Sequence, residues 1–186
     1  MTVTRTMVIL RSGTYVDLAD PDCSDVTLRD VAWSLAHINR FSGAAGTYSV
    51  AQHSVLVCRA LRDWGHGALV QRCGLMHDAH EALIGDIGSP LKRLIGLNAE
   101  FDFSNLANEV PVWEAIAGRF RLPKRLPGAV KKADLCVLAT EARDLFGVDA
   151  KAWGIEECPL DATITRWDVG RARECFLDEC VRVGVL

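Results

Sequence analysis

A chain of 186 residues that is 49% hydrophobic and 24% charged has the composition of a globular protein, with length enough for one substantial core. A formal net charge of −3 argues against a nucleic-acid-binding surface, and apolar runs such as Met7 to Leu10 are far too short to span a bilayer. The N-terminus shows no apolar segment followed by a small-residue cleavage site, and the seven cysteines include no close CxxC pair, so the expectation is a cytoplasmic protein with reduced thiols.

The chain opens with two β-prone runs around Ser12-Gly13, which predict a short hairpin, and a turn-rich link covers Pro21 to Asp25. Thr27 is placed to cap a helix, with Asp30 three residues on in a variant of the capping box. That helix carries Leu28, Val31, Leu35 and Ile38 on one face and ends around Asn39 to Gly43, where a small-residue loop begins. The next helix starts near Tyr48-Ser49-Val50 and stops at Gly65. Its inward stripe is Val50, His53, Val57, Ala60, Leu61 and Trp64, so His53 is expected to face the core, as a satisfied core histidine or as a ligand.

A third helical pattern runs through the central stretch. Leu69, Cys73, Met76, His77, His80, Leu83 and Ile84 fall on one stripe, with Glu81 a turn beyond His77. Gly85 ends it, and Asp86 follows on a turn closed by Gly88 and Pro90. Imidazole and carboxylates so close together are costly to bury, and a divalent cation would offset that cost. Another helical region is expected from about Leu97 to Phe120, broken or restarted at Pro111, followed by the basic, proline-marked connector from Arg121 to Gly128. In the helix after it, Val130, Asp134, Val137, Leu138, Glu141 and Leu145 share a face. Asp134 therefore needs a partner, either Lys131, an arginine from elsewhere or a metal. An irregular loop over Gly147 to Thr163 leads to a final amphipathic helix from about Asp168 to Val183. Cys58, Cys73, Cys136 and Cys175 lie within helical patterns as small core residues.

These readings give one all-α domain: hairpin and link over 1–25, a core over 26–146, and a loop with a C-terminal helix over 147–186. Three inward-facing helical positions supply His53, His77 with Asp78, and Asp134. That nitrogen and oxygen set suits Mn, Fe, Co, Ni or Zn.

The order His53, His77-Asp78, Asp134 resembles the HD-domain metal-dependent phosphohydrolases. The flanking segments Asn39-Arg40-Phe41, Tyr48 to Ser54, His77 to Glu81, Gly85 to Lys92 and Ala133-Asp134 resemble the branch of bacterial 5'-deoxynucleotidases and related phage and prophage nucleotide phosphohydrolases. The resemblance covers roughly residues 7 to 146 and implies an HD-type helical bundle. It implies one divalent metal on His53, His77, Asp78 and Asp134, with magnesium as a second ion brought by the substrate. It further implies catalytic roles for Glu81 and Asp86 in orienting water and moving protons, and a phosphate-gripping role for Arg40. Phe41 stands where the family often has Trp, beside the sugar, and Ser89 and Lys92 lie where they would touch phosphate. His80 reads as structural, and Glu141 as an ion-pair or supporting partner.

The expected partner is a deoxynucleotide, with 2'-deoxynucleoside 5'-monophosphates leading. The alternatives are a triphosphohydrolase acting on dATP or another deoxynucleoside triphosphate, and a module that senses nucleotides without cleaving them. No nucleic acid or membrane partner is expected, whereas relatives of this kind form homo-oligomers.

Overall fold

The computed structural model describes residues 5–94 and 109–185. It is mostly helical with one small two-stranded antiparallel sheet, in which β1 (Met7–Ile9) pairs with β2 (Tyr15–Asp17) and Val8 faces Val16. Besides the apolar contacts of Leu10 and Val16 with the core, a polar side chain ties the hairpin to the helices. Asp30 accepts from the Ser12 amide at 2.8 Å through Oδ1, while its Oδ2 closes the capping box with Thr27 at the start of α1 (Leu28–His37). The capping expectation at Thr27 is met, and the same carboxylate fixes where the sheet lies.

Beyond α1 the chain makes a closed excursion. The Val50 amide donates to the Ile38 carbonyl and the Arg40 amide to the Tyr48 carbonyl, so residues 38–50 form a loop pinned at its base. Ser49 then caps α2 (Val50–Asp63) by accepting from the Gln52 amide. Trp64, assigned to the inward stripe of this helix, is 40% exposed instead, because the helix ends at Asp63 and Gly65 turns the chain away with a positive φ.

The central stretch departs further from a single helix. α3 (Ala68–Met76) stops before His77, and α4 (Glu81–Ile84) resumes after a turn. Through that turn and into α4 the amides of Ala79, Glu81, Ala82 and Leu83 donate three residues back, the tighter 3₁₀ spacing. The stripe fails at its start as well, since Leu69 is 52% exposed.

α5 (Ser89–Leu94) follows, then α6 (Glu109–Arg119), α7 (Gly128–Phe146) and α8 (Val169–Val183). The first part of the helix expected from Leu97 lies outside the described residues, and Pro111 sits in the first turn of α6, where its missing amide costs no hydrogen bond. α8 packs against α1, α2 and α3, and its buried Ala172, Phe176, Cys180 and Val183 join Val31, Leu35, Val55 and Cys58 in the main core. A second apolar cluster, Val57, Leu61, Cys73, Val130, Ala133 and Val137, joins α2, α3 and α7. There α3 comes so near α2 that a Cβ on Gly74 would lie 2.3 Å from Leu61 Cδ1. This junction decides the geometry of everything above it: His53 is one turn before Val57, His77 one turn after Cys73, and Asp134 directly follows Ala133. Among the described residues no helix is long and apolar enough to cross a membrane.

Candidate metal centre

His53 is fully buried on α2, His77 and Asp78 are buried in the turn after α3, and the Asp134 side chain on α7 is 16% exposed. One ligand atom from each of His53, His77 and Asp78 lies within 4.8 Å of the others. His53 Nε2 is 3.2 Å from Asp134 Oδ1 and 3.9 Å from Asp78 Oδ2, and His77 Nε2 is 3.2 Å from Asp78 Oδ2 and 3.9 Å from Asp134 Oδ1. Four side chains from three separate segments of the chain thus lie close together.

The ring tautomers follow from the groups behind them. His77 Nδ1 lies 2.8 Å from the Gly74 carbonyl, which can only accept, so it is Nδ1 that donates. His53 Nδ1 lies 2.6 Å from Glu141 Oε1. Burial opposes ionisation of Glu141, but Arg40, His53 and the Tyr48 hydroxyl outweigh it and hold the carboxyl below its usual range, so it too accepts. In its neutral form each ring would therefore turn an Nε2 lone pair toward carboxylate oxygens. Neither Nε2 has a hydrogen-bond partner of acceptable geometry, although both are buried.

Lone pairs facing carboxylates need a cation between them. Ligand bonds of about 2.0–2.2 Å set neighbouring ligand atoms about 3.0–3.6 Å apart in tetrahedral or octahedral sites, close to the separations found here. The donor set fits a borderline divalent metal. In its place a proton serves in part. Burial and Arg40 oppose protonation of His53, yet Glu141 and Asp134 raise its pKa to about 9. Asp78 and Asp134 are held well down despite burial, Asp78 chiefly by His77 and Asp134 chiefly by His53. Of the three partners weighed for Asp134, Lys131 is present: Oδ2 accepts from it at 3.0 Å, while Oδ1 faces the imidazoles.

Around this centre Glu141 holds three groups at once. It accepts from Tyr48 at 2.8 Å, from His53, and from Arg40 Nη2 at 3.2 Å. Arg40 also lies 3.7 Å from Asp78, and its Nε is buried without a hydrogen-bond partner. It is held there by an unusual turn. Phe41 and Ser42 both have positive φ, a conformation costing roughly 1–2 kcal/mol per non-glycine residue. The Phe41 ring packs edge-on to Phe146 at 5.0 Å and against Trp153 at 5.8 Å, which fastens the strained segment to the end of α7 and the loop beyond.

Glu81 is buried at the start of α4, and Asp86 is near enough for its charge to act on Arg40. Ser89 is exposed at the start of α5, and the Lys92 side chain lies outside the described residues. His80 is buried edge-on to Trp113, in keeping with a packing role. Tyr48, Trp113 and Trp153 were not assigned to the site from sequence. Their loops and helices approach it only in the folded chain, although the tyrosine in the segment before His53 was a usable signal. His77, Asp78 and Asp134 also open onto a cavity of about 280 Å³ whose far wall is the basic connector before α7.

No family model matches the chain. It is similar to YfdR, an uncharacterized protein of Escherichia coli (strain K12), with 37% identity over 145 residues, covering 77% of this chain and 73% of that protein. It is also similar to the uncharacterized protein RCAP_rcc00048 of Rhodobacter capsulatus, with 36% identity over 146 residues, covering 73% of this chain and 71% of its relative. The chain belongs to the family that these two proteins represent.

Proposed function

We propose that the protein is an HD-type, metal-dependent phosphohydrolase that removes phosphate from 2'-deoxynucleotides, with the 2'-deoxynucleoside 5'-monophosphate as its simplest substrate. The observation that carries this reading is the pair of buried imidazole Nε2 atoms without hydrogen-bond partners, set against two carboxylates. His53, His77, Asp78 and Asp134 would hold the divalent ion, one of Mn, Fe, Co, Ni or Zn, and magnesium would arrive with the substrate phosphate. When bound, such an ion supplies Lewis acidity toward a phosphoryl oxygen and the attacking water.

The chain's own groups do the rest. Glu141 keeps His53 in the tautomer that presents Nε2, and the Gly74 carbonyl does so for His77. Arg40 keeps its guanidinium fixed through Glu141, with N–H groups left to meet a phosphate oxygen. Glu81 and Asp86 are the carboxylates suited to orient the water and to return a proton to the departing sugar oxygen. The Phe41 ring, 5.4 Å from the Arg40 guanidinium carbon, gives an apolar surface where a ribose 2'-hydroxyl would go unpaired.

The test is a phosphate-release screen of dNMPs, NMPs and dNTPs with Mn, Co and Mg supplied in turn, beside elemental analysis. Metal-dependent release, with deoxynucleotides preferred at least about tenfold over ribonucleotides, is expected from the cost of one unpaired hydroxyl. Equal kcat/KM for dAMP and AMP, and for dATP and ATP, would remove the sugar argument. Stoichiometric metal with no turnover of any nucleotide would favour the sensing module instead.

A further inference from the structure

Outward from the metal centre one rim of the site is aromatic, and the metal ligands do not account for it. Along α7, Asp134 is followed by Glu141, which holds Arg40, and then by Phe146 at the helix end. Phe41, next to Arg40, packs on Phe146, and both rings touch Trp153, at 5.8 Å and 5.4 Å. Neither contact lays one ring flat on the other, since the planes meet that of Trp153 at 48° and 64°. The indole is 37% exposed, and both phenylalanines are half-buried.

The mounting of this indole is firm. Trp153 ends a short 3₁₀ turn, Ala150–Trp153, which Asp149 starts by accepting from the Lys151 amide and Gly154 stops in the left-handed conformation. Ala150 is buried with Ala139 and Ala142 of α7, so the turn is seated on the helix that carries Asp134 and Glu141. The chain has five tryptophans, and the other four are engaged. Arg11 covers Trp33 and His37 stacks on it, Lys132 lies over Trp64, Arg59 and Arg171 lie over Trp167, and the Trp113 indole donates to the Lys124 carbonyl. Among the described residues Trp153 has neither a cation over its ring nor a hydrogen bond from its indole nitrogen. An indole held in place but left uncovered is suited to stack a flat ring brought from solution.

We propose that Trp153 is the platform on which the nucleobase of the substrate stacks. The proposal rests on the phosphohydrolase reading and supplies a contact for the part of the substrate that reading leaves without one. The order along the rim is that of a nucleotide: Arg40 for the phosphate, Phe41 for the sugar and Trp153 for the base. Stacking reads the face of a base and not its hydrogen-bonding edge, and every base has such a face. All four common deoxynucleotides are therefore accepted, purines ahead of pyrimidines because two fused rings cover more of the indole. The contact is the same before and during the reaction, so it acts on KM rather than kcat.

The test pairs Trp153→Ala and Trp153→Phe in the full chain with two substrates, dAMP and 2-deoxyribose 5-phosphate, which lacks the base. In Trp153→Ala the ratio of kcat/KM for dAMP to that for 2-deoxyribose 5-phosphate is expected to fall at least about fivefold, through a raised KM, the low end of what one stacked base contributes. Trp153→Phe should recover part of the loss. An equal loss with both substrates would make Trp153 only a prop for Phe41 and Arg40 and would overturn the platform, as would an unchanged ratio. Binding gives a readout apart from activity. Calorimetry on the Mn-loaded protein, with the non-hydrolysable 5'-phosphonate analogue of dAMP, should show affinity weakened at least about fivefold in Trp153→Ala and orthophosphate affinity much less. If the native protein hydrolyses no nucleotide, the phosphohydrolase reading falls, and the phosphonate comparison decides the platform, which an unchanged affinity would overturn.

Discussion

Two buried glutamates, each held by basic side chains, behave as opposites. Glu179 on α8 accepts from Arg59 at 2.9 Å and from Arg182, and Arg182 goes on to Gln71 at 2.7 Å and to Cys58. No buried side-chain nitrogen or oxygen of Arg59, Arg62, Gln71, Glu179 or Arg182 lacks a partner. That network closes on itself and clamps α8 onto α2 and α3. Glu141 on α7 holds three donors against the two of Glu179, but its network runs outward and ends on His53 Nε2 and Arg40 Nε, with His77 Nε2 opposite. Each buried polar atom left unpaired costs about 1–3 kcal/mol. A brace has no reason to carry several such atoms at one point, whereas a binding centre does.

The largest test of that contrast is removal of a ligand from the open network. Asp134→Ala is expected to abolish detectable hydrolysis and to lose most bound metal while the helices remain, as read by elemental analysis and circular dichroism. Undiminished metal stoichiometry in this variant would break the ligand set. Glu81→Ala and Asp86→Asn separate holding from chemistry. Both should retain metal and slow turnover by about two orders of magnitude or more, and near-normal kcat in both would remove them as the proton-handling groups.

Much of this centre was legible before folding, for identifiable reasons. His53 and Asp134 each sit inside an apolar stripe, where an imidazole or carboxylate demands a partner, so periodicity alone marked them. The caps at Thr27 and Ser49 and the stop at Gly65 are local and were equally visible. The turn at His77 to His80 was hidden because the i, i+3 and i, i+4 patterns overlap over so short a run, and only the backbone hydrogen bonds reveal the 3₁₀ tightening. Trp64 and Leu69 were misplaced at helix ends, where the pattern continues but the packing partner does not. The meeting of Tyr48, Arg40 and His53 on Glu141 joins residues 88 to 101 positions away along the chain, and no local pattern encodes that.

Acidity sharpens the comparison next. In the metal-free protein the pKa of His53 stands near 9 against an ordinary 6.5. A group raised on folding contributes stability that is complete below the unfolded value and disappears as pH rises through the folded one. Metal-free protein is therefore expected to lose stability between about pH 6.5 and 9, on the order of 3 kcal/mol at 1.36 kcal/mol per unit. Metal-loaded protein, with the Nε2 lone pair engaged, should lack that loss. Denaturant titrations with chelator and with Mn would read it, and matching flat profiles would count against the open network.

A smaller effect is expected at the support behind His53. Glu141→Gln keeps the shape of the side chain and removes the charge that fixes the Nδ1 proton. Metal should bind about tenfold to a hundredfold more weakly, the usual scale for an outer partner of a ligating histidine. Competition with a metal-sensing dye would measure it, and unaltered affinity would mean that the Gly74-supported His77 and the two aspartates suffice.

The smallest effect should come from the closed network, and it completes the comparison. In Glu179→Gln the amide oxygen can still accept from one arginine, but its NH₂ turns toward another and sets donor against donor. The carboxylate is 5% exposed, while its arginine partners are 35–42% exposed at their side chains and can reorient into water. Solvent screening therefore limits the cost to about 1–2 kcal/mol, measurable as a shift in denaturant midpoint. Metal stoichiometry and affinity should not change, because among the described residues the partners of Arg59, Arg62, Arg182 and Gln71 lie away from the ligating side chains. If Glu179→Gln weakened metal binding as much as Glu141→Gln, the two networks would be one mechanical unit through α2. The unpaired atoms at His53 and Arg40 would then no longer distinguish a binding centre from a brace.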